Sequence, residues 1–599
     1  MYHFNSRNDF FKTPFGAVKQ GETVRFTVTS DTEATAPFLC VRKDGSYERR
    51  IHMDRVKNEE GIYQFTASYT FDDIGLYFYC FRFYNGRLGL FNAGKGYGYM
   101  TDGGPWFMQT VYSKDFSTPD KYKGGVLYQI FPDRFYESRP KEHRAFPDRV
   151  YRTDKDGLPF YRHGAGEKQR INTDYFGGDL KGIIQKLDHL KGLGVTCIYL
   201  NPIFEAHANH RYNTADYMKI DPDLGTIEDF RQMCDECHQR GISVILDGVF
   251  SHTGSDSIYF NREGRYGTGG AYNDPKSPYR KWYDFNKNYE HGYRSWWGFP
   301  TLPDVNELNK DYLNYICGPN GVISYWLKNG ADGFRLDVAD ELPDEFIEAV
   351  RKAVKKCGKN KLLIGEVWED AVTKISYDKR RTYLLGKGLD STMNYPFRTA
   401  TLDFIKNGNG EKFCENIFSI YENYPKEALD NAWNMLSTHD TPRAITYLKG
   451  INPEGSDRIW QATQTVEGDD YKQASKQVVC AYALLFGLPG IPCIYYGDEI
   501  GMQGYRDPFN RGYYKWWDKD EYILKNIRWL SKFRKSHREY REGGIYFVYS
   551  SWNTVAFVRY DNGNEVMTAV NRGDGPETFT YKDKQYTIPA LNYINAVIE

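Results

Sequence analysis

Apolar and polar positions alternate along residues 1 to about 120, as in VRFTVTSD, YQFTASYTF and LYFYCFRFY, with Gly, Asp and Asn at the breaks. A period of two with turn residues between runs predicts an N-terminal β-sandwich over 1–120. From 121 to 515 the texture changes to short continuous apolar runs separated by amphipathic stretches, the pattern of parallel strands covered by helices. VLYQIF, VTCIYL, ISVIL, GFRLDV, LLIGE, a weak run near Thr392, WNML and PCIYY make eight strands. One helix is predicted after Gly177 and Gly178, with Leu180, Ile183, Ile184, Leu187 and Leu190 on a single face. The stretch from His252 to about Asn309, rich in Gly, Tyr, Asn and Trp, is too long for an ordinary connection and predicts an inserted domain at about 252–310. Beyond 516, a helix over Ile523 to Phe533 leads into IYFVYSS, TVAFVRY and EVMTAV, a C-terminal β-sandwich over 516–599. The fold class is therefore α/β, with eight strand–helix units closing into a (β/α)8 barrel flanked by β-domains.

Composition narrows the partners. A net charge of −1, from 78 basic and 79 acidic residues, produces no field to draw in nucleic acid or an anionic membrane, so a neutral molecule or polymer is expected. Aromatic residues form 17% of the chain, including 50 Tyr, and their flat apolar faces with polar edges suit sugars. Cys234 and Cys237 lie in a helical pattern with no second pair to complete a zinc site, so reduced thiols are expected. Val478 to Tyr496 approaches membrane-spanning length, but Pro489, Gly490 and Pro492 divide it into a helix and a buried strand. The start MYHFNSRNDFFKTPFG lacks a basic, then apolar, leader pattern, and a cytoplasmic location is expected.

Barrel enzymes carry their chemistry at the C-terminal ends of the strands. Asp133, Asn201, Asp247, Asp337, Glu366, Asp440 and Asp498 all fall at or just after such ends. Arg335 and Asp337, two apart in a strand, share a face, and a neighbouring cation favours an ionised carboxylate able to act as a nucleophile. Glu366, between an apolar run and Trp368, is suited to hold a proton as a general acid. Asp440 beside His439 offers a third carboxylate for positive charge on a sugar ring, and His252 closes the third strand. Each of these also fits an ordinary structural role when taken singly. Their joint order does not: DGVFSH (247–252), GFRLDVAD (333–340), GEVW (365–368) and STHD (437–440) follow one another along the barrel.

In these four blocks the chain resembles glycoside hydrolase family 13, the α-amylase family, over nearly its whole length. The resemblance implies Asp337 as nucleophile, Glu366 as general acid and base, and Asp440 as transition-state stabiliser. It implies that Arg335, His252, His439 and Trp368 bind substrate, that Tyr212 in NHRY stacks on the attacked sugar, and that Asp507 and Arg511 in RDPFNR serve the neighbouring subsite. YQIFPDRF, FGGDLKGI and the sandwich are most similar to the neopullulanase, cyclomaltodextrinase and maltogenic amylase group. That group implies an α-glucan partner and a homodimer built through the N-terminal domain, or starch binding by it. The chain departs from the group at Leu302–Asn306 (LPDVN), Glu369 and Ser251, so a preference for cyclodextrins is not carried over. Members often hold calcium soon after the first strand. Here that stretch is YESRPKEHRAFPDRV, and Gly178 and Asp179 alone remain of the pattern, too few oxygens for the ion, so no cofactor is assigned. The implied activity is retaining, endo-type hydrolysis of α-1,4 bonds in maltodextrins and starch, extending to pullulan or cyclodextrins. The rivals are a transglycosylase of the same family and a non-catalytic glucan-binding protein.

Overall fold

The computed structural model describes residues 2–57, 62–83, 88–139, 146–162 and 171–598. Eight parallel strands form its centre: β1 (Leu127–Ile130), β2 (Cys197–Leu200), β3 (Ser243–Gly248), β4 (Gly333–Leu336), β5 (Leu362–Gly365), β6 (Ser391–Thr392), β7 (Trp433–Met435) and β8 (Ile491–Tyr495). They pair in the order β6-β5-β4-β3-β2-β1-β8-β7. A parallel bridge from Met393 to Trp433 joins the two ends into a ring. The seven apolar runs and the weak one near Thr392 are these eight strands, the seven reading as mainly apolar because they are buried on both faces.

Alternation decides what the barrel does. Inward rows begin with apolar side chains, among them Leu127, Cys197, Tyr199, Ile245, Leu362, Ile364, Met435 and Cys493, which pack into one core cluster. Two residues further along each strand the same row turns polar, at Gln129, Asn201, Asp247 and Glu366. The plug and the mouth are thus made by one periodicity.

The helix predicted from Leu180 is two helices, α1 (Leu180–Gln185) and α2 (Leu187–Gly192), broken at Lys186 with φ −109° and ψ 5°. Leu180, Ile183, Leu187 and Leu190 are buried, whereas Ile184 is half-buried. Spacing alone cannot show a dihedral change at one polar residue. Cys234 and Cys237 are buried in α3 (Ile227–Gln239) as free thiols. The run that approached membrane length becomes α4 (Gly468–Gly487) and then β8. This helix is buried along nearly its whole second half because helix α5 (Glu521–Ser536) and the C-terminal strands Asn564–Asn571 and Asn592–Ile598 pack on it. No helix among the described residues is long and apolar enough to cross a membrane.

The inserted segment after β3 contains only two three-residue 3-10 turns, Arg280–Trp282 and Trp296–Gly298, as regular structure. Aromatic packing replaces it: Phe260 meets Tyr283, Phe285 and Tyr293 at ring-centre distances of 4.8, 5.7 and 4.7 Å. Two further long excursions, after β1 and β2, are tied by the buried Arg149. Its guanidinium pairs with Asp221 at 2.7 Å and with Asp223, between the rings of Phe146 and Tyr175. The C-terminal region is a four-stranded sheet plus a two-stranded one.

A second compact unit gathers Met1–Thr118 with Glu369–Ser391 and Cys414–Leu429. Its sheets of five and seven strands close over Val24, Phe26, Leu39, Phe65, Tyr79 and Phe107. Arg7 binds Glu415 at 2.5 Å and Glu422 at 3.0 Å, holding the Cys414–Leu429 helical segment within the unit.

Candidate active site

At the mouth of the barrel one guanidinium serves three carboxylates. Arg335 lies beside Asp247 in register on adjacent strands. It donates from Nη1 to Asp247 at 2.8 Å and to Asp337 at 2.7 Å, and its Nη2 forms an ion pair with Glu366 Oε2 at 2.8 Å. Asp247 also accepts from the hydroxyls of Tyr199 at 2.6 Å and Tyr212 at 2.8 Å. Glu366 Oε2 accepts the Val338 N–H at 2.9 Å, while its Oε1 accepts the Trp368 indole N–H at 3.0 Å. Val338 has φ 39°, a left-handed conformation that strains a β-branched residue. The bond from Glu366 holds it there, directly after Asp337.

One cation among three buried carboxylates cannot keep all of them in the ordinary range. Burial raises the Asp337 carboxyl well above its usual value against the pull of Arg335, with Glu366 and Asp247 adding repulsion. Asp247 is raised by burial as well. Arg335 and Asp337 share a face as expected, but the guanidinium is divided among three carboxylates, so it favours the ionised form of Asp337 less than in a lone pair and the cluster binds protons more readily.

Tyr212 and His439 lie with rings 5.2 Å apart and nearly parallel, joined by a 2.5 Å hydroxyl-to-Nε2 contact. The Gln129 amide donates to His439 Nδ1 and to Asn201 Oδ1, both at 3.0 Å, and Asn201 donates to the Tyr212 hydroxyl at 2.9 Å. That network assigns the imidazole proton to Nε2, which faces Tyr212 and lies 3.0 Å from Asp440 Oδ2. Burial, then Arg511 and Arg335, pushes His439 well below its ordinary value, so it is neutral. Tyr212 follows Arg211 (φ 62°), a buried residue whose strained backbone is held by an ion pair to Asp221 at 3.2 Å.

The loop after β8 supports Asp440. Arg511 donates to the His439 carbonyl at 3.0 Å and Asp440 Oδ1 at 3.3 Å, and pairs with Asp507 at 2.8 Å. Asn510 donates one amide nitrogen to the carbonyls of Thr438, His439 and Thr441 at 3.1, 2.8 and 2.9 Å. We expect Asn510→Leu, which leaves those carbonyls facing a methyl group, to lower stability by about 2 kcal/mol or more, measured by denaturant unfolding. An unchanged midpoint would show that the loop finds other partners.

A cleft of about 850 Å³ gathers Asp337, Glu366, Asp440, Tyr212, His252, Trp368, His439, Asp507 and Arg511, while Arg335 lies beneath it. His252 is engaged by protein on both nitrogens: Nε2 meets the Tyr212 carbonyl at 3.2 Å and Nδ1 meets the Ser251 hydroxyl at 3.0 Å. Burial pushes it down to about 4. Trp296, Trp297 and Phe299 form a rim, and Glu341 accepts from both indole N–H groups at 2.8 Å. Gln129, Asn510 and Glu341 join the site without having been singled out in the sequence, and Asp247 was placed at a strand end without a role. The strand register that sets Asp247 against Arg335 supplies its role, and the others carry no local signal.

Among the described residues no group of three or more His, Cys, Asp or Glu is arranged to hold a metal ion. The expected calcium stretch is covered only in part, since 140–145 lie outside the described residues. Asp179 is occupied as a helix cap, accepting from Gly182 N–H at 2.6 Å and Ser138 at 2.8 Å.

A family model described as "Alpha amylase, catalytic domain" matches residues 129–541. An amylopullulanase from Thermoanaerobacter thermohydrosulfuricus is 34% identical over 96% of this chain and 43% of its own length. A cyclomaltodextrinase from Geobacillus thermopakistaniensis is 31% identical over 87% of this chain and 76% of its own. The cyclic α-maltosyl-(1→6)-maltose hydrolase of Arthrobacter globiformis superposes with a TM-score of 0.68 at 28% identity, over 80% of this chain and 100% of that one. This chain spans less than half the length of the amylopullulanases it matches.

Proposed function

The chain belongs to the α-amylase family of glycoside hydrolases, and from that premise we propose that it hydrolyses α-1,4-glucosidic bonds in maltodextrins and starch with retention of configuration. The observation that carries this reading is the single guanidinium shared by Asp337 and Glu366 in a cleft that Asp440 also lines. Asp337 attacks the anomeric carbon while Glu366 protonates the departing oxygen; Glu366 then takes a proton from water, which releases the glycosyl-enzyme. Asp440, with a half-buried carboxylate steered by Arg511, stabilises positive charge on the ring. Neutral His439 and the Tyr212 ring supply a donor and a stacking face for that sugar.

The names of its relatives make pullulan and cyclomaltodextrins the substrates to test beside starch. Chromatography of products from starch, pullulan and β-cyclodextrin supplied in parallel is expected to show oligosaccharides whose new reducing end is first released as the α-anomer by NMR. Release of the β-anomer would end the retaining reading. Oligosaccharides longer than the substrate, dominating early at high maltotriose, would make the enzyme a transglycosylase instead. We further propose that residues 1–120 mediate a homodimer, which a mass measurement in solution tests.

A further inference from the structure

Trp368 lines two cavities. One is the cleft already described, and the other, of about 540 Å³, is bounded by Arg398, Tyr447, Asn452, Glu454, Gln461 and Arg506 among others. The indole stacks on Tyr395 with ring centres 3.9 Å apart at 14°, yet remains 41% exposed, so an open part of it faces the space between the two. Gln461 and Tyr505 line a third cavity as well, of about 460 Å³, so the groove continues away from the catalytic centre.

Arg398 makes this groove more than a surface depression. It is 8% exposed, and its Nε donates to the Leu436 carbonyl at 2.7 Å. Its Nη2 meets no acceptor, and no carboxylate among the described residues pairs with it. A buried guanidinium without a counter-charge is costly unless something else accepts its hydrogen bonds. Arg506 lies near enough to add repulsion, the one carboxylate that adds attraction, Asp498, is already paired with Arg443 at 3.0 Å, and the Tyr447 ring lies 5.5 Å from the guanidinium. The groove also contains Glu454, which disfavours an anion, together with the neutral amides of Asn452 and Gln461 and the open indole. Aromatic surface combined with amides and charges of both signs suits a neutral polyhydroxyl chain.

The direction follows from Glu366. Trp368 donates to Glu366 Oε1, the oxygen away from Arg335, so the groove opens beside the group that protonates the departing oxygen. We propose that this groove binds the leaving half of a long α-glucan, with the Arg398 guanidinium donating to sugar hydroxyl oxygens several units beyond the scissile bond. The inference rests on the glycosidase reading above and adds a preference for long chains on the leaving side.

The test compares kcat/KM for maltoheptaose with that for maltotriose in the wild type, in Arg398→Gln, and in the Asn452→Ala/Gln461→Ala double variant, in which Asn452 is exposed on a loop and Gln461 half-buried on the short helix Arg458–Ala462. The maltoheptaose-to-maltotriose ratio is expected to fall about tenfold in Arg398→Gln, the loss of one charge-assisted hydrogen bond, and in the same direction in the double variant. End-labelled maltoheptaose is expected to be cut nearer its reducing end in both. Equal loss on the two substrates, or an unchanged ratio and cutting pattern, overturns the proposal. If the wild type turns over neither substrate, the glycosidase reading fails, and titration of maltoheptaose into wild type and Arg398→Gln still decides the groove: weaker binding supports it and equal affinity overturns it. Saturable stabilisation by inorganic phosphate that Arg398→Gln abolishes, without any chain-length effect, would make the site an anion site and likewise overturn the inference.

Discussion

Asp337→Asn is expected to lower kcat on maltotriose by about 10⁴-fold or more and, in the same protein, to raise the melting temperature. The rate loss corresponds to ~5.5 kcal/mol of transition-state stabilisation, at 1.36 kcal/mol per factor of ten, because the amide cannot form the glycosyl bond. The stability gain comes from the cluster. Asp337 is raised by burial in the folded state, so its ionised form costs the fold free energy above that raised value. The cost fades as pH falls and the carboxyl takes up its proton. The amide removes one of three negative groups from around Arg335 at every pH, so the difference in melting temperature should be largest at alkaline pH and shrink toward acid. Calorimetry across that range, beside steady-state kinetics, checks both halves. A variant that is inactive but less stable than wild type at alkaline pH would show that Arg335 needs all three carboxylates.

Glu366→Gln is expected to split two substrates by their leaving groups. With maltotriose, whose departing oxygen needs a proton, the rate should fall by about 10²- to 10⁴-fold. With 2,4-dinitrophenyl α-maltoside, whose leaving group needs none, the first step should survive while release of the intermediate, which needs Glu366 as a base, slows. A burst of dinitrophenol and a maltosyl adduct on Asp337 by mass spectrometry would mark the accumulated intermediate. Equal losses on both substrates, with no adduct, would take the acid–base role away from Glu366.

The expected effects are large because the residues involved are geometrically coupled, and that coupling is only partly visible in the chain. The alternation that placed Arg335 and Asp337 on one face also placed Glu366 two residues beyond Ile364, so the inward rows of two strands were legible. The register that brings Asp247 against Arg335 was not, since it depends on how neighbouring strands align. His252 illustrates the difference. Its place at the cleft followed from its block, and the Ser251 contact on Nδ1 is made by its own neighbour, but the Tyr212 carbonyl on Nε2 comes from a loop after another strand.

Local sequence determined the eight strands, the sandwich pattern, the helix before β8 and the identity of the carboxylates, because periodicity, apolar run length and turn residues act over a few positions. Tertiary structure alone decided that one guanidinium is divided among three acids, that Gln129 sets the proton on His439, that Asn510 ties down the loop bearing Asp440, and that Arg398 has no ion-pair partner among the described residues. Those outcomes join residues tens to hundreds of positions apart, and burial strengthens each interaction only once the chain has closed around it.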